Sequence, residues 1–183
     1  MENIKNIQIQ KIFKYFIVIV FGSLVLALSA KIKIPFYPVP MTMQTFVVVL
    51  IGIAFGYKVG LATIAAYLLE GILGMPVFSN SPEKGVGLVY FTGPTMGYLL
   101  GFLTAVFLAG YFNYNNNFFK NFIKIIFCVS TIYVLGLIWL GFLIGWEKPI
   151  FKLGAEPFLL AELFKVLLLT LIASYTTRLR QFI

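Results

Sequence analysis

Runs of apolar residues follow one another along nearly the whole sequence, at 15–34, 41–57, 59–73, 90–112, 122–144 and 157–175, each parted from the next by a break. An α-helix rises 1.5 Å per residue, so about 20 apolar residues cross the roughly 30 Å of hydrocarbon in a bilayer. In hydrocarbon the backbone donors and acceptors have no water to turn to, and a helix meets them within the segment. The runs therefore predict an all-α integral membrane protein of six transmembrane helices. With 61% hydrophobic and 11% charged residues among 183, no length remains for a separate soluble domain, and 1–183 is expected to be a single membrane domain.

The breaks have physical causes. Residues 1–14 are polar and basic and lead straight into the first run, an order that secretory signals share. The run is long for a signal core and the sequence opens at Met1, so the segment is expected to be retained as the first span. Pro35, Pro38 and Pro40 lack a donor and bias the residues before them away from helix, which ends that span. Lys58 marks a tight connection, so the second and third spans are expected to form a helical hairpin. Residues 74–88 are too polar and too broken to span and read as a long structured outer loop between helices 3 and 4, folded over the protein. An Asn-rich connection covers 113–121. Pro157 suits the first turn of the last helix, where its missing donor costs nothing.

Orientation follows from basic residues on alternate sides of six spans. One side collects Lys5, Lys11, Lys14, Lys58, Lys120, Lys124, Arg178 and Arg180; the other has Lys31, Lys33, Lys84, Lys148 and Lys152, with Glu83, Glu147 and Glu156 among them. Eight against five places both termini in the cytoplasm. It also gathers the first, third and fifth connections on the outer side, where they can close one pocket. The net charge of +8 is thus a topology signal, and nucleic acid is not an expected partner.

Absences narrow the chemistry. There is no His and no Asp, which excludes a His-based triad, a His-ligated metal or haem, and an Asp dyad. No Walker A pattern occurs, so ATP-driven work needs a nucleotide site on another chain. Cys128 lies in an apolar run and reads as a small core residue. No catalytic residue, metal or cofactor is expected.

Glu162 and Lys165 stand out because ionisable groups inside an apolar helix are expensive and usually face a polar cavity or each other. Three residues apart, they share a helix face. Two readings stay open: a pair turned toward a ligand, or Lys165 snorkelling outward while Glu162 meets the helix N-terminus. Glu70 reads as an interfacial anchor. Gly52, Gly56 and Gly60, Gly93, Gly97 and Gly101, and Gly141 with Gly145 recur every four residues, a spacing that lets helices pack closely. Ser23 and Ala27 repeat that spacing in the first span, as internal packing or as a docking strip for another membrane subunit. Tyr90 and Tyr98 lie nearest the polar loop.

Four ordered segments carry a resemblance: Ile-Pro-Phe-Tyr-Pro-Val-Pro-Met-Thr-Met-Gln-Thr at 34–45, Gly-Met-Pro-Val-Phe-Ser-Asn at 74–80, Phe-Thr-Gly-Pro-Thr-Met-Gly-Tyr at 91–98 and Glu-Pro-Phe-Leu-Leu-Ala-Glu-Leu-Phe-Lys at 156–165. Over essentially its whole length the chain resembles the BioY family, the biotin-specific S components of energy-coupling factor transporters. That resemblance implies a protein of the cell membrane that binds biotin from outside and works with a transmembrane T component and two cytoplasmic ATPases, which supply the missing Walker A. It implies biotin contacts from Asn80, Glu162 and Lys165, with Thr42, Gln44 and Tyr98 added from motif position. It also implies T-component docking at Ser23 and Ala27. One departure is that the family usually has Asp where this chain has Glu162. The residue types suit biotin: Asn donates and accepts, Glu accepts from ureido N–H groups, and Lys donates to Glu162, the ureido oxygen or the carboxylate. The outer loop is the expected lid. An S component for another vitamin is the alternative; an intramembrane enzyme using Glu162 as general base lacks a second catalytic group at suitable spacing.

Overall fold

A computed structural model describes residues 2–182, with side chains from Ile9 to Gln181. Met1, Ile183 and the side chain of Lys5, which enter the expected domain bounds and charge count, lie outside the described residues. Helix α1 (Glu2–Lys31) contains the first apolar run. Beyond it, β1 (Lys33–Ile34) and β2 (Met41–Thr42) form a small antiparallel hairpin, pairing Lys33 with Thr42 and Ile34 with Met41. The three prolines fall in its connection, where no ladder donor is needed. The first run therefore ends as helix at Lys31 rather than at residue 34, and the second begins as helix at Gln44 rather than at 41.

Helix α2 (Gln44–Ile72) is continuous by hydrogen bonding, yet Gly56 interrupts it with φ +76° and ψ 171°. Gln44 Nε2 donates to the Tyr67 hydroxyl at 2.7 Å across 23 residues, a separation of about 34 Å along a straight helix. The chain therefore doubles back, with arms 44–55 and 57–72. The reversal falls at Gly56, two residues before Lys58, because a left-handed backbone is open to glycine without a Cβ penalty. A Cβ on Gly60 would lie 3.6 Å from the Gly52 Cα, which brings the two arms together.

A 3₁₀ turn (Gly87–Thr92) precedes α3 (Met96–Tyr111), so the fourth run starts as α-helix at Met96 and not at residue 90. Gly97 and Gly101 lie on the α4 backbone near Leu135 and Ile132, as the four-residue spacing suggests, but Gly93 sits in the turn before the helix. Helix α4 (Phe118–Ile144) is capped by the Asn117 side chain, which accepts from the Lys120 N–H at 3.0 Å. A short α5 (Ile150–Gly154) and a 3₁₀ turn (Glu156–Phe158) lead into α6 (Leu159–Thr176). Pro157 thus opens the turn ahead of the last helix. Among the described residues, four segments are long and apolar enough to cross a membrane: Ile9–Lys31, Gln44–Ile72, Phe118–Ile144 and Ile150–Gln181; α3 is apolar but shorter.

Packing defines two ends. At one, the β-hairpin, residues 73–95 and residues 145–158 converge: Phe36 meets Phe158 edge-on at 5.6 Å, and Trp139 Nε1 donates to the Gly93 carbonyl at 2.9 Å. At the other, the Arg180 guanidinium donates to the carbonyls of Ile53, Gly52, Ala109 and Phe112. These carbonyls close the first arm of α2 and the end of α3, where a cation suits the helix dipole. Cys128 is buried in the core between them with Val49, Ile53, Ile125 and Leu169.

Candidate functional site

Glu162 and Lys165 lie one turn apart on α6, each with its side chain only 8% exposed. Lys165 Nζ donates to Glu162 Oε1 at 2.7 Å, to the Thr42 carbonyl at 2.6 Å and to Thr45 Oγ1 at 3.1 Å. The Thr45 hydroxyl in turn donates to Glu162 Oε1 at 2.9 Å. All three ammonium hydrogens are thus engaged, and one carboxylate oxygen is held by two donors. The other, Glu162 Oε2, is buried with no hydrogen-bond partner. An ionised oxygen in that position is costly until a donor reaches it.

Glu162 borders an internal cavity of about 50 Å³ whose polar wall is Thr42, Gln44, Thr45, Ser79, Tyr90 and Thr95. Its apolar wall includes Leu99, Phe102, Ile132 and Phe158, and Tyr133 adds a hydroxyl that interacts with the Glu162 carboxylate. The β-hairpin sets Thr42 at the mouth. Gln44 and Thr45 follow on the first turn of α2 and point to the same space, Gln44 anchored to Tyr67. The Tyr67 hydroxyl passes the link on to the Val77 carbonyl at 3.2 Å. From the far side Phe78 is buried among Tyr67, Tyr90 and Phe91, stacked on Tyr90 at 4.6 Å between centroids.

The candidate residues divide. Thr42, Gln44, Tyr98 and Glu162 share the cavity wall, whereas Asn80 and Lys165 do not. Asn80 points toward β1, its Oδ1 accepting from Lys33 at 3.3 Å, and the neighbouring Ser79 takes the cavity side with its hydroxyl 3.2 Å from that of Tyr90. Lys165 acts on the cavity through Glu162 and Thr45. Tyr98 presents its ring, because its hydroxyl donates to the Gly154 carbonyl at 2.8 Å. Ser23 is not on an open strip: it is fully buried and donates to Glu70 Oε1 at 2.7 Å, while Ala27 is half-buried. Glu70 is accordingly a packing partner of α1 as well as a residue near a helix end.

Sequence reading missed Thr45, Ser79, Phe78 and Phe158. Thr45 carried a weak signal, as a polar residue in the first turn of an apolar helix beside Gln44. Ser79 carried none, since the direction of a loop side chain is set by its contacts.

A model of the BioY family matches residues 3–182. The probable biotin transporter BioY of Pyrococcus horikoshii is 33% identical over 147 residues, covering 80% of this chain and 86% of that protein. The biotin transporter BioY of Thermotoga maritima is 35% identical over 155 residues, with 84% and 89% covered. Among solved structures, the S-component for biotin from an ECF-type ABC transporter superposes with a TM-score of 0.76 at 26% identity, covering 94% of this chain and 93% of that one.

Proposed function

The chain belongs to the BioY family, and from that premise we infer that it is a biotin-binding S component of an energy-coupling factor transporter, a multi-pass membrane protein that captures its ligand and hands it on without altering it. The observation that carries the site is the unpartnered Glu162 Oε2 at the cavity wall. Lys165 and Thr45 hold the carboxylate by its other oxygen, which leaves Oε2 to be satisfied by a ligand. A ureido N–H satisfies it, and the apolar wall of Leu99, Phe102, Ile132 and the Tyr98 ring takes the thioether bicycle. Gln44, Thr42, Ser79 and Tyr90 supply further polar contacts. The extra methylene of Glu162, where the family usually has Asp, is accommodated by the Thr45 and Lys165 clamp.

A cavity of about 50 Å³ is smaller than the several hundred Å³ of most small-molecule sites. Ligand entry therefore requires the segment around Phe78 to withdraw, a lid movement that also brings Asn80 within reach of the ligand. The two arms of α2 and the short α3 complete six spans, with both termini in the cytoplasm. Release to that side takes place against a T component driven by two ATPases. Ala27 is the part of the small-residue strip that remains available for such docking.

The test is calorimetric titration of the purified protein with biotin, thiamine and riboflavin, repeated with Glu162→Gln. Only biotin is expected to bind, and the variant is expected to weaken it ten- to a hundredfold, the range for loss of a charged hydrogen bond. Undiminished binding by Glu162→Gln moves the site elsewhere. A folded protein that ignores biotin overturns the ligand.

A further inference from the structure

At the end of the bundle opposite the cavity, a second pocket of about 300 Å³ is lined by Lys11, Tyr15, Gly56, Tyr57, Lys58 and Arg180, with Phe55, Val59 and Gly110 completing it. Among the described residues, three cations line it and no carboxylate does. Arg180 is anchored by hydrogen bonds, and the two lysines each lie near a tyrosine ring. The Lys11 ammonium stands 5.7 Å from the Tyr15 ring centre and that of Lys58 6.0 Å from the Tyr57 ring, an arrangement that favours a cation without consuming its donors. Arg180 is anchored through Nε and one Nη to helix-end carbonyls, which leaves its other Nη for a ligand. The reversal of α2 at Gly56 forms part of its wall, and the position a Gly56 Cβ would take is open space.

We propose that this pocket binds the phosphate of an anionic phospholipid headgroup. Three donors around a hollow suit a phosphate, to which lysine and arginine make charge-assisted hydrogen bonds. Its place favours a lipid over a free ion. Lys11 and Tyr15 lie at the start of the apolar part of α1, and Tyr57 and Lys58 at the turn between two apolar arms, the level at which tyrosine and basic side chains meet headgroups. Acyl chains then run down the exposed apolar face of α1, where Phe16, Val20 and Leu24 are open. The pocket lies apart from the biotin site, and its test is independent of the ligand.

The experiment uses the full chain in neutral detergent and native mass spectrometry with phosphatidylglycerol or phosphatidylcholine, with inorganic phosphate as a separate arm. Phosphatidylglycerol is expected to be retained in preference to phosphatidylcholine. Lys11→Gln with Lys58→Gln is expected to cut that retention roughly thirtyfold, at about 1 kcal/mol per basic side chain at an anionic lipid surface. Lys120→Gln with Arg178→Gln, which removes the same charge elsewhere, should leave it unchanged. Equal loss in both pairs, or no loss in the first, overturns the site. Displacement of the lipid by millimolar inorganic phosphate also overturns the proposal, by making the pocket a site for the free ion.

Discussion

Glu162 and Lys165 make sense only together. Their charges are buried, and the pair survives because Thr45 and the Thr42 carbonyl satisfy the Lys165 ammonium and add a second donor to Glu162 Oε1. Removing one partner strands the other. Lys165→Met leaves an ionised carboxylate whose remaining partner is Thr45, and is expected to cost about 3–5 kcal/mol, whereas Glu162→Gln combined with Lys165→Met removes both charges and should recover most of it. Thermal unfolding of the two singles and the double variant checks this, and biotin binding should stay weakened in the double. A double variant no more stable than Lys165→Met contradicts the pairing. The two charges were legible in the sequence because an ionisable group in an apolar helix has few innocent explanations. The division of labour between them was not. Which oxygen faces the ligand, and that Lys165 spends its three hydrogens on protein, depends on Thr45 and on a carbonyl more than a hundred residues away.

At the scale of elements, helices were legible wherever apolar length decided, and least so where the backbone changes course. Gly56 looked like one more packing glycine, and its positive φ emerges only in the fold. The β-hairpin was hidden by its prolines, which announce a break in the helix but not the pairing of the short strands on either side. Gly71 shows how one element shapes another. It lies on the second arm of α2, and a Cβ there would overlap the buried Phe78 ring. Gly71→Ala should therefore push Phe78 out of the aromatic cluster it forms with Tyr67, Tyr90 and Phe91, costing about 1–3 kcal/mol as an overpacked core does. Because Phe78 is also cavity wall, biotin affinity should fall with stability. Adding Phe78→Leu is expected to return stability in a melting experiment but not the full affinity. A Gly71→Ala protein with unchanged melting would show that the loop yields freely.

Across the whole molecule, the segment over the cavity is tied to α1 and β1 as well as to α2, which helps build the site. Lys31, at the last turn of α1, donates to the carbonyls of Phe78 and Ser81 at 2.8 and 2.7 Å. Lys33, on β1, donates to the Ser79 carbonyl and Asn80 Oδ1. Two ammonium groups thus hold four consecutive residues whose side chains include the wall residues Phe78 and Ser79. Only 22% of the apolar window of α1 is buried, which leaves its outer face to lipid or another chain, and these bonds are the route by which a shift of α1 would reach the segment. Lys31→Met with Lys33→Met should release that coupling: biotin dissociation is expected to quicken roughly tenfold, with a smaller change in association, since loss of bound-state contacts acts mainly on the off-rate. Stopped-flow displacement of a fluorescent biotin reads the first effect, and faster amide exchange at Ser79–Ser81 should accompany it. Unchanged dissociation and exchange would mean that Phe78 alone keeps the segment in place, and that motion of α1 does not reach the site.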